Sequence, residues 1–308
     1  MNEINPANLH DDRIAASVVI AAWPDLDGMT ECLASLVSQQ DAATEILVIG
    51  GASFPAELGM RFSSVRWLQG SPDMLVPHLW SIGLNSSRGQ IVAITTARFV
   101  PARDWLKHIY EAHKRLASAG IGGAIDPPRE RSATSWAIYF LRYSAYLKYT
   151  QEQIVDEIAG ENASYKRGSL TAHAEAIADG FWEPDFHRLL REESKTLSFV
   201  PAIRLTQGAP FGLQCFCKQR FQHGRQFGQM RVRGSSAPVR IARIATSPLI
   251  PAVLLAKIFG RVFASRRYFS QLLFSLPLLL VFVIAWSLGE VFGYCAPDSF
   301  PLPNEHRR

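Results

Sequence analysis

Apolar positions along the first 120 residues alternate between two rhythms. AASVVIAA at 15–22 is an unbroken Val/Ile-rich run and reads as a buried strand. Asp25, Asp27 and Gly28 make a turn, and Met29, Cys32, Leu33, Leu36 and Val37 then recur at helical spacing. EILVI at 45–49 is a second strand, ended by Gly50-Gly51, and 65–68 a third. A helical stretch from Met74 to Leu84 is separated by Gly89 from a fourth strand at 91–95. A helix follows over 104–116, with Trp105, Ile109 and Leu116 on its apolar side. Strands alternating with helices predict βαβ units and a mostly parallel sheet with helices on both faces. Ligands in such sheets bind at the carboxyl ends of the strands, which here are Ala22-Trp23, Gly50-Gly51 and Thr95 to Arg98.

The pattern is less regular afterwards. An aromatic-rich helix is expected over 135–149. A strand or loop over 157–165 carries Gly160-Glu161-Asn162. A helix over 184–191 has proline in its first turn, where a missing N–H does no harm, and a strand covers 197–205.

The C-terminal part changes character. Residues 268–289, YFSQLLFSLPLLLVFVIAWSLG, carry no charge, and a helix of that length spans ~33 Å, about one bilayer core. The preceding 248–267 is apolar but interrupted by Lys257 and Arg261 one turn apart, as in an amphipathic helix lying at a membrane interface. The expected organisation is a polar tail (1–14), an α/β domain (15–240), an interfacial helix (248–267), a transmembrane helix (268–290) and a C-terminal tail (296–308). Lys257, Arg261, Arg266 and Arg267 outnumber Arg307 and Arg308, which puts the amino side in the cytoplasm; a hairpin with both ends inside is the competing topology.

Composition adds a few limits. Charged residues are 19% of the 308, net charge is +5, and the basic residues crowd from Arg220 to Arg267, before and within the apolar region. That placement suits phospholipid or diphosphate groups, and no helix-turn-helix, zinc-finger or RNA-recognition signature points to nucleic acid. Cys32, Cys215, Cys217 and Cys295 form neither a disulfide framework nor a zinc pattern. The first 13 residues are polar, unlike a signal peptide, so the expected location is the inner membrane with the main domain cytoplasmic.

Six segments, in order, resemble the bacterial membrane-associated family 2 glycosyltransferases of GT-A fold. They are SVVIAAW at 17–23, EILVIGGAS at 45–53, RGQIVAITTARFVPARDWL at 88–106, GENASYKRGSL at 160–170, GFWEPDFHRLL at 180–190 and RFQHGR at 220–225. Three positions depart from the family. Its Asp-Asp pair, which holds the nucleobase and ribose, is Gly50-Gly51 here. Its metal-binding Asp-x-Asp is Thr96-Ala97-Arg98. Cys217 and Phe221 replace the Gln and Trp of the late Gln-x-x-Arg-Trp pattern.

The resemblance implies an inverting transfer from a nucleotide sugar to a lipid-linked or polysaccharide acceptor at the membrane. The base would be Glu183, with Asp185 as fallback. Ala22, Trp23, Gly50, Gly51, Thr95, Thr96, Arg98, Arg220 and Arg225 would line the donor, and Glu161, Asn162 and Trp182 the acceptor. With Arg98 in the aspartate position, no Mg or Mn ligand set is evident, so the cofactor stays open. Either a guanidinium meets the diphosphate in place of a metal, or the donor site is degenerate. The latter reading makes the chain an inactive membrane scaffold; a nucleotidyltransferase would need a carboxylate pair that is not found.

Overall fold

A computed structural model of the chain describes residues 14–295 except 24, 52 and 233. The expected tails at 1–14 and 296–308 lie almost entirely outside the described residues. The chain divides into two compact units. The first takes in residues up to Ala124 and Glu152–Leu205; the second takes in Ile125–Gln151 and everything from Thr206.

The elements of the first unit begin with those that the hydrophobic rhythm predicts, joined by two short ones, at 56–61 and 99–101, that it does not. They are β1 (Ala16–Ala22), α1 (Met29–Val37), β2 (Thr44–Gly50), α2 (Ala56–Arg61), β3 (Val65–Gln69), α3 (Val76–Ser86), β4 (Ile91–Thr96), β5 (Phe99–Pro101) and α4 (Trp105–Arg115). β6 (Gly120–Asp126) leads into the second unit, where α5 (Ala133–Tyr143) is followed by a single 3-10 turn rather than by helix to residue 149. Back in the first unit come β7 (Gln153–Val155), a 3-10 turn at Gly160–Asn162, β8 (Ala163–Lys166), α6 (Arg167–Ala172), α7 (Ala174–Ile177), α8 (Glu183–Glu192) and β9 (Leu197–Gln207). The second unit resumes with α9 (Leu213–Val232), α10 (Ala237–Thr246), α11 (Ile250–Ser265) and α12 (Phe269–Cys295).

The protein is a mixed α/β structure with a mostly parallel central sheet in the order β3-β2-β1-β4-β8-β6-β9-β5, with β7 on β9. β3, β2, β1 and β4 are parallel, as βαβ connections require. β8 enters antiparallel between β4 and β6, so β6 runs in the direction of β4. β1 and β2 are buried along their whole length, which explains their largely apolar sequences, Ser17, Thr44 and Glu45 apart.

β6 is absent from the expectations drawn above; three of its seven residues are glycine, a residue depleted in strands. The structure gives its glycines a packing reason: a methyl on Gly120 would lie 2.7 Å from the Tyr165 ring, and one on Gly123 would run into the Ile203 carbonyl. At the amino ends of the strands, Glu45 is buried in a polar cluster. It accepts from Ser17 Oγ (2.7 Å), Arg66 (2.6 Å), and the backbone N–H (2.5 Å) and guanidinium of Arg88. Burial alone would raise its pKa, but these donors hold it below the ordinary carboxylate value.

In the second unit, two helical stretches, Ala237–Ser265 and Phe269–Cys295, are long and apolar enough to cross a membrane by length and composition.

Candidate active site

Register brings three expected segments to one end of the sheet. Ala22 pairs with Gly50, and Ala21 with Thr96, so the ends of β1, β2 and β4 are aligned. Ala22, Gly50, Thr95 and Thr96 are buried there, and Trp23 and Gly51 are half-buried.

The two glycines leave no room for the carboxylates that the resembled family carries. A methyl on Gly50 would sit 2.8 Å from the Phe54 ring, and one on Gly51 2.7 Å from the Ser71 carbonyl oxygen. Phe54 itself packs on Trp67, ring centroids 4.8 Å apart. This aromatic pair beside β2 and β3 was not anticipated from the sequence.

Arg98 follows β4. Its side chain is 3% exposed, and its guanidinium donates to Asp25 Oδ1 at 2.5 Å and lies 3.5 Å from Asp27 Oδ2. Both aspartates belong to the turn after β1, so the cation ties the ends of two adjacent strands. Their carboxylates are 47% and 68% exposed, and the ion cluster is therefore open to solvent on its anionic side. These residues do not fit a divalent cation: a fixed positive charge already neutralises the nearest carboxylates. Among the described residues, no three His, Cys, Asp or Glu side chains converge on a point.

Behind this cluster, Trp80 of α3 donates its indole N–H to the Thr95 carbonyl at 2.7 Å. The far corner of the same ring lies against Gly160, 3.0 Å from where a methyl would be. Gly160 also abuts Glu183, whose Oε1 would meet that methyl at 2.6 Å. One indole thus joins the end of β4 to the segment holding Glu161, and that segment in turn abuts the start of α8. Nothing in the local sequence marks Trp80 for that position.

Glu183 is half-buried as the first residue of α8, where the helix dipole favours its charge. Asp185 is exposed and pairs with Arg188 at 3.8 Å. Trp182, just before the helix, packs edge-on to His78, centroids 6.2 Å apart. Glu161 is buried. Asn162 is 1% exposed, and its amide is fully engaged: the oxygen accepts from Trp105 Nε1 (2.8 Å), and the nitrogen donates to the carbonyls of Ala124 (2.9 Å) and Ile203 (3.0 Å). It fixes the backbone of its segment.

Arg220 and Arg225 lie on α9, in the second unit. Arg220 is buried over the rings of Phe216 and Trp286, at 4.9 and 5.6 Å. Burial, reinforced by the charge of Arg142, pulls its pKa down to about 9. His223 contacts the same guanidinium at 3.4 Å.

No protein-family model and no curated protein sequence matches this chain. Solved structures do. A mannosyltransferase from Pyrobaculum calidifontis, PcManGT, determined with GDP-Man and Mn2+, superposes with a TM-score of 0.54 over 91% of this chain and 88% of its own, at 17% identity. GalNAc-T7, determined with UDP, GalNAc and Mn2+, matches 65% of this chain and 45% of its own, at 14% identity and a TM-score of 0.48. The likeness to the mannosyltransferase shows a GT-A-like fold.

Proposed function

We propose that the chain is a glycosyltransferase that moves a sugar from a nucleotide-sugar donor to a lipid-linked or polysaccharide acceptor at the cytoplasmic face of the membrane, with inversion and without a divalent metal. The observation that carries this reading is the line from Arg98 through Thr95, Trp80 and Gly160 to Glu183. It puts a buried cation and a carboxylate at the same end of a GT-A-like sheet.

In this reaction Glu183 takes the proton of the acceptor hydroxyl. The hydroxyl oxygen attacks the anomeric carbon as the bond to the diphosphate breaks, and the departing diphosphate takes up the negative charge. Arg98 meets that charge directly. The donor displaces Asp25 and Asp27 from the guanidinium, exchanging two exposed carboxylates for a diphosphate that is bidentate to it. Glu183 serves better than Asp185 because it turns toward Gly160, whereas Asp185 faces solvent and Arg188. The exposed apolar helices of the second unit supply the membrane attachment.

A second reading rests on the same ion cluster. If Asp25 and Asp27 hold Arg98 permanently, the donor end is closed and the chain is a membrane scaffold. Calorimetric titration of the full chain with GDP-, UDP- and dTDP-sugars, each with excess chelator, separates the two. Binding of at least one donor, followed by its turnover on a membrane lipid extract, is the expected result. Absence of binding across the panel, with and without manganese, leaves only the scaffold.

A further inference from the structure

The sequence predicts a helix at 268–290 that crosses the bilayer. We infer instead that α12 lies along one leaflet of an anionic membrane, with both of its ends on the same side. This rests on the membrane attachment proposed above, and concerns its geometry.

The first observation is what covers α12. α9 runs alongside it in the same direction, and the two backbones touch through glycine. A methyl on Gly224 or Gly228 would run into the carbonyls of Trp286 and Glu290, and one on Gly289 or Gly293 into those of Phe221 and Arg225. This close approach extends along the second half of α12, where Arg231 bonds Glu290 (2.8 Å) and the Tyr294 hydroxyl (3.1 Å). α9 is a polar helix: its twenty residues include four Lys or Arg and five Gln. A helix that crossed the bilayer in this packing would carry α9 with it into the hydrocarbon, and charges there are among the costliest residues to insert.

The second observation is the sidedness of α12. Its buried positions, such as Leu272, Leu279, Phe282 and Gly289, face protein. Leu273, Leu280, Ile284, Leu288 and Phe292 are exposed and form a stripe along the opposite side. A helix surrounded by lipid has no need of two such sides, whereas a helix half-sunk in an interface has. The exposed apolar surface continues on α10 and α11, through Ile241, Leu249, Val253 and Phe263. Of the eighteen large apolar side chains exposed among the described residues, sixteen belong to the second unit, so this surface is a concentrated feature and not background.

Charge identifies the occupant. Residues 206–295 contain eleven Lys or Arg and one acidic residue, Glu290, which is buried and bonded to Arg231. Arg243, Lys257, Arg261, Arg266 and Arg267 lie on or beside the apolar helices. A protein partner with an apolar face would not require this uniform sign; a leaflet of anionic phospholipid would.

The test uses the full chain on sealed vesicles of phosphatidylglycerol and phosphatidylcholine, and in native membranes of both orientations. Cys215→Ser and Cys217→Ser leave Cys295, exposed at the end of α12, as the reactive thiol. Cys32 is buried, and burial pushes its pKa up to about 12. Ser270→Cys, in a Cys295→Ser background, reports the other end of the helix. A membrane-impermeant maleimide should label both positions from the same face. The chain should float with anionic vesicles, and Arg266→Glu with Arg267→Glu should weaken that binding by about tenfold or more. Labelling from opposite faces, or only after detergent, overturns the in-plane geometry while attachment stands. Failure of the full chain to float with anionic vesicles removes attachment and geometry together.

Discussion

Trp80 donates its indole N–H, at 2.7 Å, to the carbonyl oxygen of Thr95, the residue that follows the apolar run of β4. Both groups are buried, so the bond is costly to lose. Trp80→Phe leaves that carbonyl without its donor and opens space beside Gly160. We expect a stability loss of about 1–3 kcal/mol in denaturant titration. The glycosyl transfer rate should fall as well, since Glu183 loses the wall behind its neighbour. Wild-type stability together with wild-type turnover would show that the indole joins nothing of consequence.

Arg98→Ala removes the cation and leaves Asp25 and Asp27 together at the strand ends. Nucleotide-sugar affinity should weaken by about 1.5–3 kcal/mol, the range for a hydrogen bond to a charged group. Transfer by the wild type should survive exhaustive chelation. Strict dependence on manganese or magnesium would sink the idea that the guanidinium replaces a metal.

Glu183→Gln keeps the shape and removes the proton acceptor. Turnover should drop by at least ~10², with donor binding in calorimetry little changed. Asp185→Asn, by contrast, breaks only an exposed contact with Arg188 and should leave turnover near normal. The reverse ranking of the two variants would reassign the base.

Gly51→Ala tests the crowding at the end of β2. Its methyl would stand 2.7 Å from a backbone oxygen, which cannot swing aside as a side chain can. A loss of about 1–3 kcal/mol is expected, read as a lower Tm. An unchanged Tm would mean that the Ser71-Pro72 segment yields freely, and that Gly51 is no barrier to a carboxylate.

Two buried histidines contribute to the acid sensitivity of the first unit. Burial, with the charge of Lys166, pulls the pKa of His113 down to about 4, and burial, with the charge of Arg191, pulls that of His187 down to about 3. Ser164 donates its hydroxyl to the Ile121 carbonyl, so His113 Nε2 is the donor to Ser164, and its buried Nδ1 has no partner to accept a second proton's bond. Unfolded, each ring titrates near 6.5, so the folded values are depressed and the unfolded chain binds the extra protons. Stability from this source is complete above about pH 6.5. It declines as pH falls, by up to about 1.4 kcal/mol per pH unit for each histidine, until the folded values near 4 and 3 are reached. Urea midpoints at pH 7, 6 and 5 should fall accordingly, and less steeply in His187→Gln. A flat profile would contradict the burial of these rings.

The first four strands, α1 and α3 were legible because they bury continuous or periodic apolar sets, whereas α2, which lies between β2 and β3, buries none of its side chains and left no such signal. β6 was not, because its glycines pack by having no side chain, and a pattern of absences resembles a loop. α9 was likewise hidden: its contact face is glycine, Phe216 and a buried arginine rather than an apolar stripe. At the candidate site, the strand-end positions followed from the rhythm of the sheet. The partners of Arg98 did not, since Asp25 and Asp27 are more than seventy residues away and their turn reads as ordinary. Asn162 was placed by resemblance, but only the structure reveals that its amide is spent on Trp105 and two carbonyls.

The glycine seam between α9 and α12 divides the second unit's sequence into a part that can drift and a part that cannot. On the outer stripe, the lipid leaflet proposed above would take no impression of shape, so exchanges among Leu, Ile, Val and Phe should be nearly silent. At 224, 228, 289 and 293 the facing surface is the backbone itself, which no exchange elsewhere can move out of the way. The helix that looks most like interchangeable grease therefore contains some of the least replaceable positions in the molecule. A saturation library selected only for folded, membrane-bound protein should recover almost nothing but glycine at those four sites.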